Sequence, residues 1–255
     1  MPALAPIQAV EAFHLAFLRV LESKLQRDFF VVKGGVNLRA WFASLRYSED
    51  LDLDLLRGEV FEVRAKVGAA LAAPALRDLL RSLGLAITKS SAPKQTATTQ
   101  RWKLELASTG RGMPLHTKVE FSRRGGDDDY ALDPVLAEIV RPYGIPAPTV
   151  HHYMAAAALR QKIGALAGRR ETQARDIWDL DHLLRTTGAD PRPLPARTRD
   201  ALPDALDRVA ELPFDAFKAQ VVPFLAPEHQ DVFGSRESWQ RMQELVIDRL
   251  LELQE

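Results

Sequence analysis

Three aspartates alternate with leucines in Ser48-Glu49-Asp50-Leu51-Asp52-Leu53-Asp54. A period of two marks a strand, so Asp50, Asp52 and Asp54 project from one face, adjacent ones roughly 7 Å apart. Aspartate is a poor strand former and like charges raise one another's pKa, so the segment accepts two penalties at once. A hard divalent cation removes the repulsion, because Mg²⁺ takes carboxylate oxygens and completes its octahedron with water and phosphate. The competing explanation is a solvated strand face, which more often mixes Lys, Thr and Glu. In Lys118-Val119-Glu120-Phe121-Ser122 the residues Lys118, Glu120 and Ser122 share a face. If the two strands are neighbours, Glu120 stands beside the aspartates, and three carboxylates holding two metals suit a displacement at phosphorus. Otherwise Lys118 and Glu120 are a surface pair on a hairpin.

Lys33-Gly34-Gly35 follows the apolar run Phe29-Phe30-Val31-Val32 and opens a helix through Val36, Leu38 and Trp41. Glycine amides and a helix N-terminus can meet a phosphate there, with Lys33 as a point charge, although a glycine pair is more often only a turn. Ser48, two residues before Asp50, is a phosphate contact, a phosphorylation site or ordinary strand polarity. Further along, Leu159, Ile163 and Leu166 form an apolar stripe that leaves Lys162 and Arg169 on its flanks. In the next helix Ile177, Leu180 and Leu184 form the packing face, with Asp176 and Asp179 on another. Arg175 with Asp179 and Asp181 with Arg185 have the spacing of ordinary helical ion pairs. The functional alternative puts Lys162 and an arginine on a triphosphate or an acceptor.

Around these residues, spacings of three and four predict a helix over 7–24 and helical structure over 59–83, broken at Pro74. Strands are expected over 29–32, 50–55, 85–88, 102–107 and 115–122. The last three read as consecutive antiparallel strands, joined by a polar linker and by a turn at 110–114. Asp133-Pro134 has the form of a helix start. A proline-rich connector over 142–148 suggests a domain boundary, with domains over 1–145 and 146–255. Beyond it no strand is expected, only helices over 150–167, 172–185 and 237–251.

The chain has 255 residues, with 34 Lys+Arg balanced by 34 Asp+Glu, which argues against a wholly basic nucleic-acid coat protein. It has no cysteine, which excludes disulfides, thiolate zinc sites, iron–sulfur clusters and cysteine nucleophiles. Walker-type loops, dinucleotide-binding glycine fingerprints, His-Glu-x-x-His motifs and nucleophile elbows are also missing from the sequence. Met1-Pro2-Ala3 lacks a signal-peptide start and no segment suits a membrane span, so a cytoplasmic protein is expected.

Taken in order, Phe30-Val31-Val32-Lys33-Gly34-Gly35-Val36-Asn37-Leu38, Arg46-Tyr47-Ser48-Glu49-Asp50-Leu51-Asp52-Leu53, Lys118-Val119-Glu120-Phe121-Ser122, Lys162-Ile163-Gly164-Ala165-Leu166 with Arg169, and Ala174-Arg175-Asp176-Ile177-Trp178-Asp179-Leu180 resemble the AbiEii/AbiGii toxin family of nucleotidyltransferases, which includes the MenT-type toxins. The resemblance spans about residues 29–185. It implies an α+β architecture, a polymerase-β-like nucleotidyltransferase domain with a mixed sheet followed by an α-helical C-terminal domain. It also implies Asp50 and Asp52 as the metal pair, Glu120 as the third carboxylate, and Mg²⁺ or Mn²⁺ as cofactor with an NTP substrate. Gly34 and Gly35 match the phosphate-side turn, Lys162 is similar to a nucleotide-contacting lysine, and Arg175 and Asp176 fall in the final motif. Asp54 lies outside the pattern, although alternation alone permits a metal site at Asp52 and Asp54. The implied acceptor is the 3′ end of tRNA, whose extension blocks translation, and the implied partner is a cognate antitoxin. A small-molecule or protein acceptor, or a non-catalytic nucleotide-binding protein, is the alternative.

Overall fold

The computed structural model describes residues 4–110 and 112–254. Met1-Pro2-Ala3, and Arg111 of the expected 110–114 turn, lie outside these residues. The chain folds as two compact units, 1–43 with 47–153, and 44–46 with 154–255.

In the first unit, α1 (Pro6–Leu21) is buried on nearly all sides, and β1 (Phe30–Lys33) leads directly into α2 (Gly34–Phe42). Then come β2 (Leu51–Leu55), α3 (Val60–Leu71) and α4 (Pro74–Ser82), the last two separated at the expected proline. β3 (Leu85–Gln95), β4 (Thr99–Ser108), β5 (Leu115–Ser122) and β6 (Tyr130–Pro134) precede the short α5 (Ala137–Val140) and β7 (Thr149–Tyr153). Among the described residues the strands form one seven-stranded sheet, ordered β3-β4-β5-β2-β1-β7-β6. It is mixed: β2 runs parallel to β5 and β1 to β7, and the other pairs are antiparallel.

Alternation decides the faces. Leu51 and Leu53, Trp102, Leu104 and Leu106, and Val119 and Phe121 are buried in one core with α1, α3 and α4. Asp52, Arg101, Lys103, Lys118 and Glu120 point the other way. Three expectations change here. The polar linker after residue 88 is strand, because β3 continues to Gln95 against β4. Asp133 and Pro134 end β6 rather than starting a helix, since their backbones pair with Val150 and Thr149. Residues 149–153 add the strand β7 instead of the start of a helix, so 146–153 belong to the first unit. His151-His152 gave no strand alternation, and pairing on both sides supplies what local pattern did not.

Burial of α1 encloses two polar side chains, and each has partners. Glu11 accepts from Arg39 Nε (2.7 Å) and the Tyr143 hydroxyl (2.5 Å), and the Arg39 guanidinium lies 4.4 Å over the Tyr47 ring. Burial, together with Glu11, holds the Tyr143 phenol well above its ordinary range. His14 Nε2 is 2.8 Å from Thr117 Oγ1, and that hydroxyl donates to the Glu49 carbonyl (2.7 Å), tying α1 and β5 to the approach to β2.

In the second unit, α6 (Ala155–Gly168) and α7 (Ala174–Thr186) are followed by α8 (Ala196–Asp200), α9 (Leu202–Glu211), α10 (Phe214–Gln220), α11 (Pro227–Phe233) and α12 (Arg236–Glu252). Ser235 caps α12 by accepting from the Ser238 amide (3.1 Å). Trp178, Phe217 and Trp239 stack in its core with Ile177, Leu180 and Leu183, and the half-buried Phe233 meets Trp178 edge-on.

Burial pushes the His14 imidazole down to about 4, against a weaker opposing effect of Asp50. The unfolded chain therefore binds a proton below about 6.5 that the folded chain refuses until about 4, and stability falls as pH drops through that window. The loss is on the order of 3 kcal/mol. Urea titrations between pH 7 and 4 should show a steeper fall for wild type than for His14→Gln, which has no imidazole to charge.

Candidate active site

Asp52 of β2 lies opposite Glu120 of β5 in the parallel ladder and opposite Lys33 of β1 in the antiparallel one. Glu120 in turn lies opposite Arg101 of β4. One row across four strands thus reads Lys33, Asp52, Glu120, Arg101, with the acids at its centre. The sequence places Glu120 beside the aspartates only if β2 and β5 are neighbours, and they are.

The three aspartates are not equivalent. Asp50 precedes β2, where its Oδ1 accepts the Lys118 backbone N–H (3.3 Å) and its Oδ2 pairs with Lys118 Nζ (2.8 Å). Ser48 Oγ donates to the Asp50 carbonyl (2.8 Å), which fixes the bend. Asp54 is 3% exposed and bound by Lys33 Nζ (2.5 Å) and the Tyr153 hydroxyl (2.9 Å). Burial, then Asp54, raises the Tyr153 phenol well above its ordinary range, so it stays a donor. Gly126 closes over this pair, and a side chain there would collide with the Tyr153 hydroxyl. Asp54 thereby holds Lys33 in place.

Asp52 is different. Among the described residues its carboxylate has no hydrogen bond or ion pair. Burial raises its pKa; Lys118 and Lys33 oppose this, whereas Asp50 and Glu120 add to it. Gly34, at φ +68°, brings the start of α2 close enough that a Cβ there would lie 3.4 Å from Asp52 Oδ2. That left-handed conformation favours glycine, and the absence of a side chain leaves room beside the carboxylate. Gly35 follows in the first turn of α2.

The donor set is hard oxygen, and an unpartnered, desolvated carboxylate beside a second one fits a divalent cation such as Mg²⁺ or Mn²⁺. Among the described residues no three acidic or imidazole groups yet converge as a metal cluster. Cations explain the spread, since Lys118 draws Asp50 aside and Arg101 Nε holds Glu120 Oε2 (2.5 Å).

The remaining expected site residues lie in the second unit. Lys162 Nζ meets Asp176 Oδ1 (3.1 Å) and Asp179 Oδ2 (2.5 Å), and Arg169 Nε meets Asp176 Oδ2 (2.6 Å). Burial would lower the Lys162 pKa, but Asp179 and Asp176 outweigh it and raise the value. Burial likewise works against the ionised Asp176, and Lys162 with Arg169 overcomes it and holds this carboxyl below its usual range. Arg46 grips Asp179 through Nε (3.1 Å) and Nη2 (3.0 Å), with the two residues 5% and 0% exposed. Arg175 is half-buried in the first turn of α7, and Arg185 reaches Asp181 at the expected spacing (2.7 Å).

Sequence reasoning gave no role to Arg46, Arg101 or Tyr153. Arg101 and Tyr153 gain theirs from register, and Arg46 from a partner 133 positions away. Lys118 was visible in the alternation of its strand, where the competing reading paired it with Glu120; its partner is Asp50, and Glu120 pairs with Arg101.

Acids paired across two strands, a glycine-led helix start beside them and cations on both flanks suit chemistry at a nucleotide phosphate. Solved structures share this fold. A putative nucleotidyltransferase from Helicobacter pylori superposes with a TM-score of 0.59 at 18% identity, covering 96% of each chain. JHP933 from the same species gives 0.57 at 17%, covering 95% of this chain and 92% of that one. MenT4, a nucleotidyltransferase toxin from Mycobacterium tuberculosis, gives 0.55 at 19%, covering 96% and 85%. No curated protein matches the chain in sequence. The protein is of the nucleotidyltransferase class. More narrowly, residues 16–252 match the family model described as nucleotidyl transferase AbiEii toxin, type IV TA system, and the chain belongs to that family.

Two consequences can be measured. An acid whose pKa is raised by folding costs stability as pH rises from about 4 through its folded value. Without added metal, Asp52→Asn should therefore have a higher urea midpoint than wild type at pH 7, and the gain should vanish near pH 4. Arg46→Ala leaves Asp179 with one cation fewer in a buried setting and should cost about 3–5 kcal/mol by urea denaturation. Arg46→Lys should recover only part, because an ammonium cannot grip two oxygens in a plane.

Proposed function

We propose that this toxin is a Mg²⁺- or Mn²⁺-dependent enzyme that transfers NMP from an NTP to RNA, at the 3′ end of tRNA, and so blocks translation. The observation that carries the reading is the unpartnered Asp52 carboxylate, set between Glu120 and the glycine-led start of α2. Asp50 and Asp52 are the residues to hold the cation, with Glu120 completing the site on the acceptor side. When bound, the cation supplies charge stabilisation at the α-phosphate and at the departing pyrophosphate.

The chain's own residues position the reactants. Amides of Gly34 and Gly35 at the start of α2 receive triphosphate oxygens, with Lys33 as an adjacent positive charge. A 3′-hydroxyl oxygen attacks the α-phosphorus, the new P–O bond replaces the α–β bridging bond, and pyrophosphate leaves. Glu120 takes the hydroxyl proton at Oε1, since Oε2 is held by Arg101. Most of the rate then comes from orientation and charge rather than from covalent chemistry by the protein. Ser48 contributes by fixing the bend that carries Asp50.

The family implies an antitoxin partner. No helix among the described residues is long and apolar enough to cross a membrane, which is compatible with action in the cytoplasm on tRNA.

The test is transfer of label from each of the four α-labelled NTPs to purified tRNA with Mg²⁺. Wild type should label RNA, and Asp50→Ala/Asp52→Ala should lose at least about 100-fold in rate. Equal rates in both proteins would refute the assignment of the acids. Label appearing in protein or in a small molecule instead would refute the RNA acceptor.

A further inference from the structure

The acids of β2 and β5 lie in the middle of the sheet, and what flanks them differs. On the β1 side stand Lys33 and the start of α2, which suit a triphosphate. On the other side β4 and β3 continue the same face outward to the sheet edge. Arg101 lies opposite Glu120, and Lys94 lies opposite Arg101. In the next row Lys103 lies opposite Lys118, with Ser91 beyond it. Lys89 follows opposite Glu105, the acidic residue of this wing.

Two irregularities in β3 put these lysines there. Between Ile87 and Lys89, β3 advances two residues while β4 advances one. Without that bulge, Lys89 would fall opposite Leu104, on the core face. Between Ser91 and Lys94, β3 advances three residues and β4 two, and a regular ladder would set Lys94 opposite the buried Gln100. Each bulge restores a lysine to the face that carries the acids, a known use of bulges beside functional sites. Lys89 and Lys103 are exposed and Lys94 is half-buried. None of the three is in an ion pair among the described residues, whereas Arg101 and Lys118 are occupied by Glu120 and Asp50.

We propose that the outer face of β3 and β4, through Lys89, Lys94 and Lys103, is the track that holds the phosphate backbone of the RNA acceptor and leads its 3′ end to Glu120. This deepens, and rests on, the reading of the acceptor as RNA. Three strand spacings separate Lys94 from Asp52, roughly 14 Å, so the track engages nucleotides upstream of the reacting hydroxyl. The face is polar, with lysines spread across two strands and no apolar anchor, which suits a repeating phosphate chain better than the centre of a protein interface.

The test follows binding of fluorescein-labelled tRNA by anisotropy, without NTP, between 50 and 200 mM KCl. Lys89→Gln/Lys94→Gln/Lys103→Gln should bind about tenfold more weakly at the low-salt end, with a slope of log K against log salt shallower by roughly 2–3. The charge-matched control Arg64→Gln/Lys66→Gln/Arg77→Gln, on the helices α3 and α4 of the core side, should titrate like wild type. Thermal melts establish that both variants fold, and single substitutions should each remove about a third of the slope change if the triple variant unfolds. Wild-type-like titration by the triple variant, with tRNA still labelled by wild type, overturns the track alone. Failure of the wild type to bind or label RNA overturns the acceptor reading with it. Retained tRNA binding alongside lost polyglutamate binding overturns the RNA assignment in favour of an acidic protein.

Discussion

Carboxylates gathered on one face of a sheet repel one another, and the residues around this face are arranged to contain that repulsion. Lys118 binds Asp50 through both backbone and side chain, Arg101 holds Glu120, and Lys33 sits on Asp54 with Tyr153 as a second donor. Of these four acids Asp52 is the one without a direct partner among the described residues, in a setting where burial raises its pKa against the nearby charges of Lys118 and Lys33. An uncompensated acid is a standing cost in the folded protein, and a site that binds a divalent cation has a physical reason to retain one. Substituting any of the surrounding cations changes the electrostatic setting of Asp52 as well as that of its own partner.

The second unit solves a similar problem in the opposite way. Asp176 and Asp179 are buried more deeply than Asp52, yet Lys162, Arg169 and Arg46 match them with direct ion pairs. Burial of a charge is tolerable only with such pairing. This cluster is closed on itself, whereas the face of the first unit leaves one carboxylate open. The two arrangements are built from the same residue types, and the difference between them is stoichiometry: three cations serve two acids in the second unit, whereas three serve four in the first.

Much of the site was legible locally. Strict alternation in 50–55 identified β2 and set Asp52 and Asp54 on its polar face, and Lys33-Gly34-Gly35 announced the strand-to-helix junction. Pro74 divided α3 from α4, because a proline cannot continue a helix through its missing donor. Elements that depend on pairing were harder to read. β7 carries adjacent histidines, β6 ends in proline, and the outer half of β3 is a polar run with two bulges. None has a periodicity of its own, and each is a strand because a neighbour supplies its hydrogen bonds.

The sequence by itself determined the chemistry available to this protein. Its Asp-x-Asp strand, its glycine-led helix and the order of its motifs carry the likeness to the nucleotidyltransferase family, and residue type and short-range spacing fix which donors a strand or turn presents. Tertiary structure decided how those donors are used. Register across β1, β2, β5 and β4 set Asp52 beside Glu120 and gave Asp54 to Lys33. Bulges in β3 turned Lys89 and Lys94 towards the acids. Long-range pairing is invisible to local pattern because its partners are joined only by the folded sheet, and it is this pairing that separates the open carboxylate from the occupied ones.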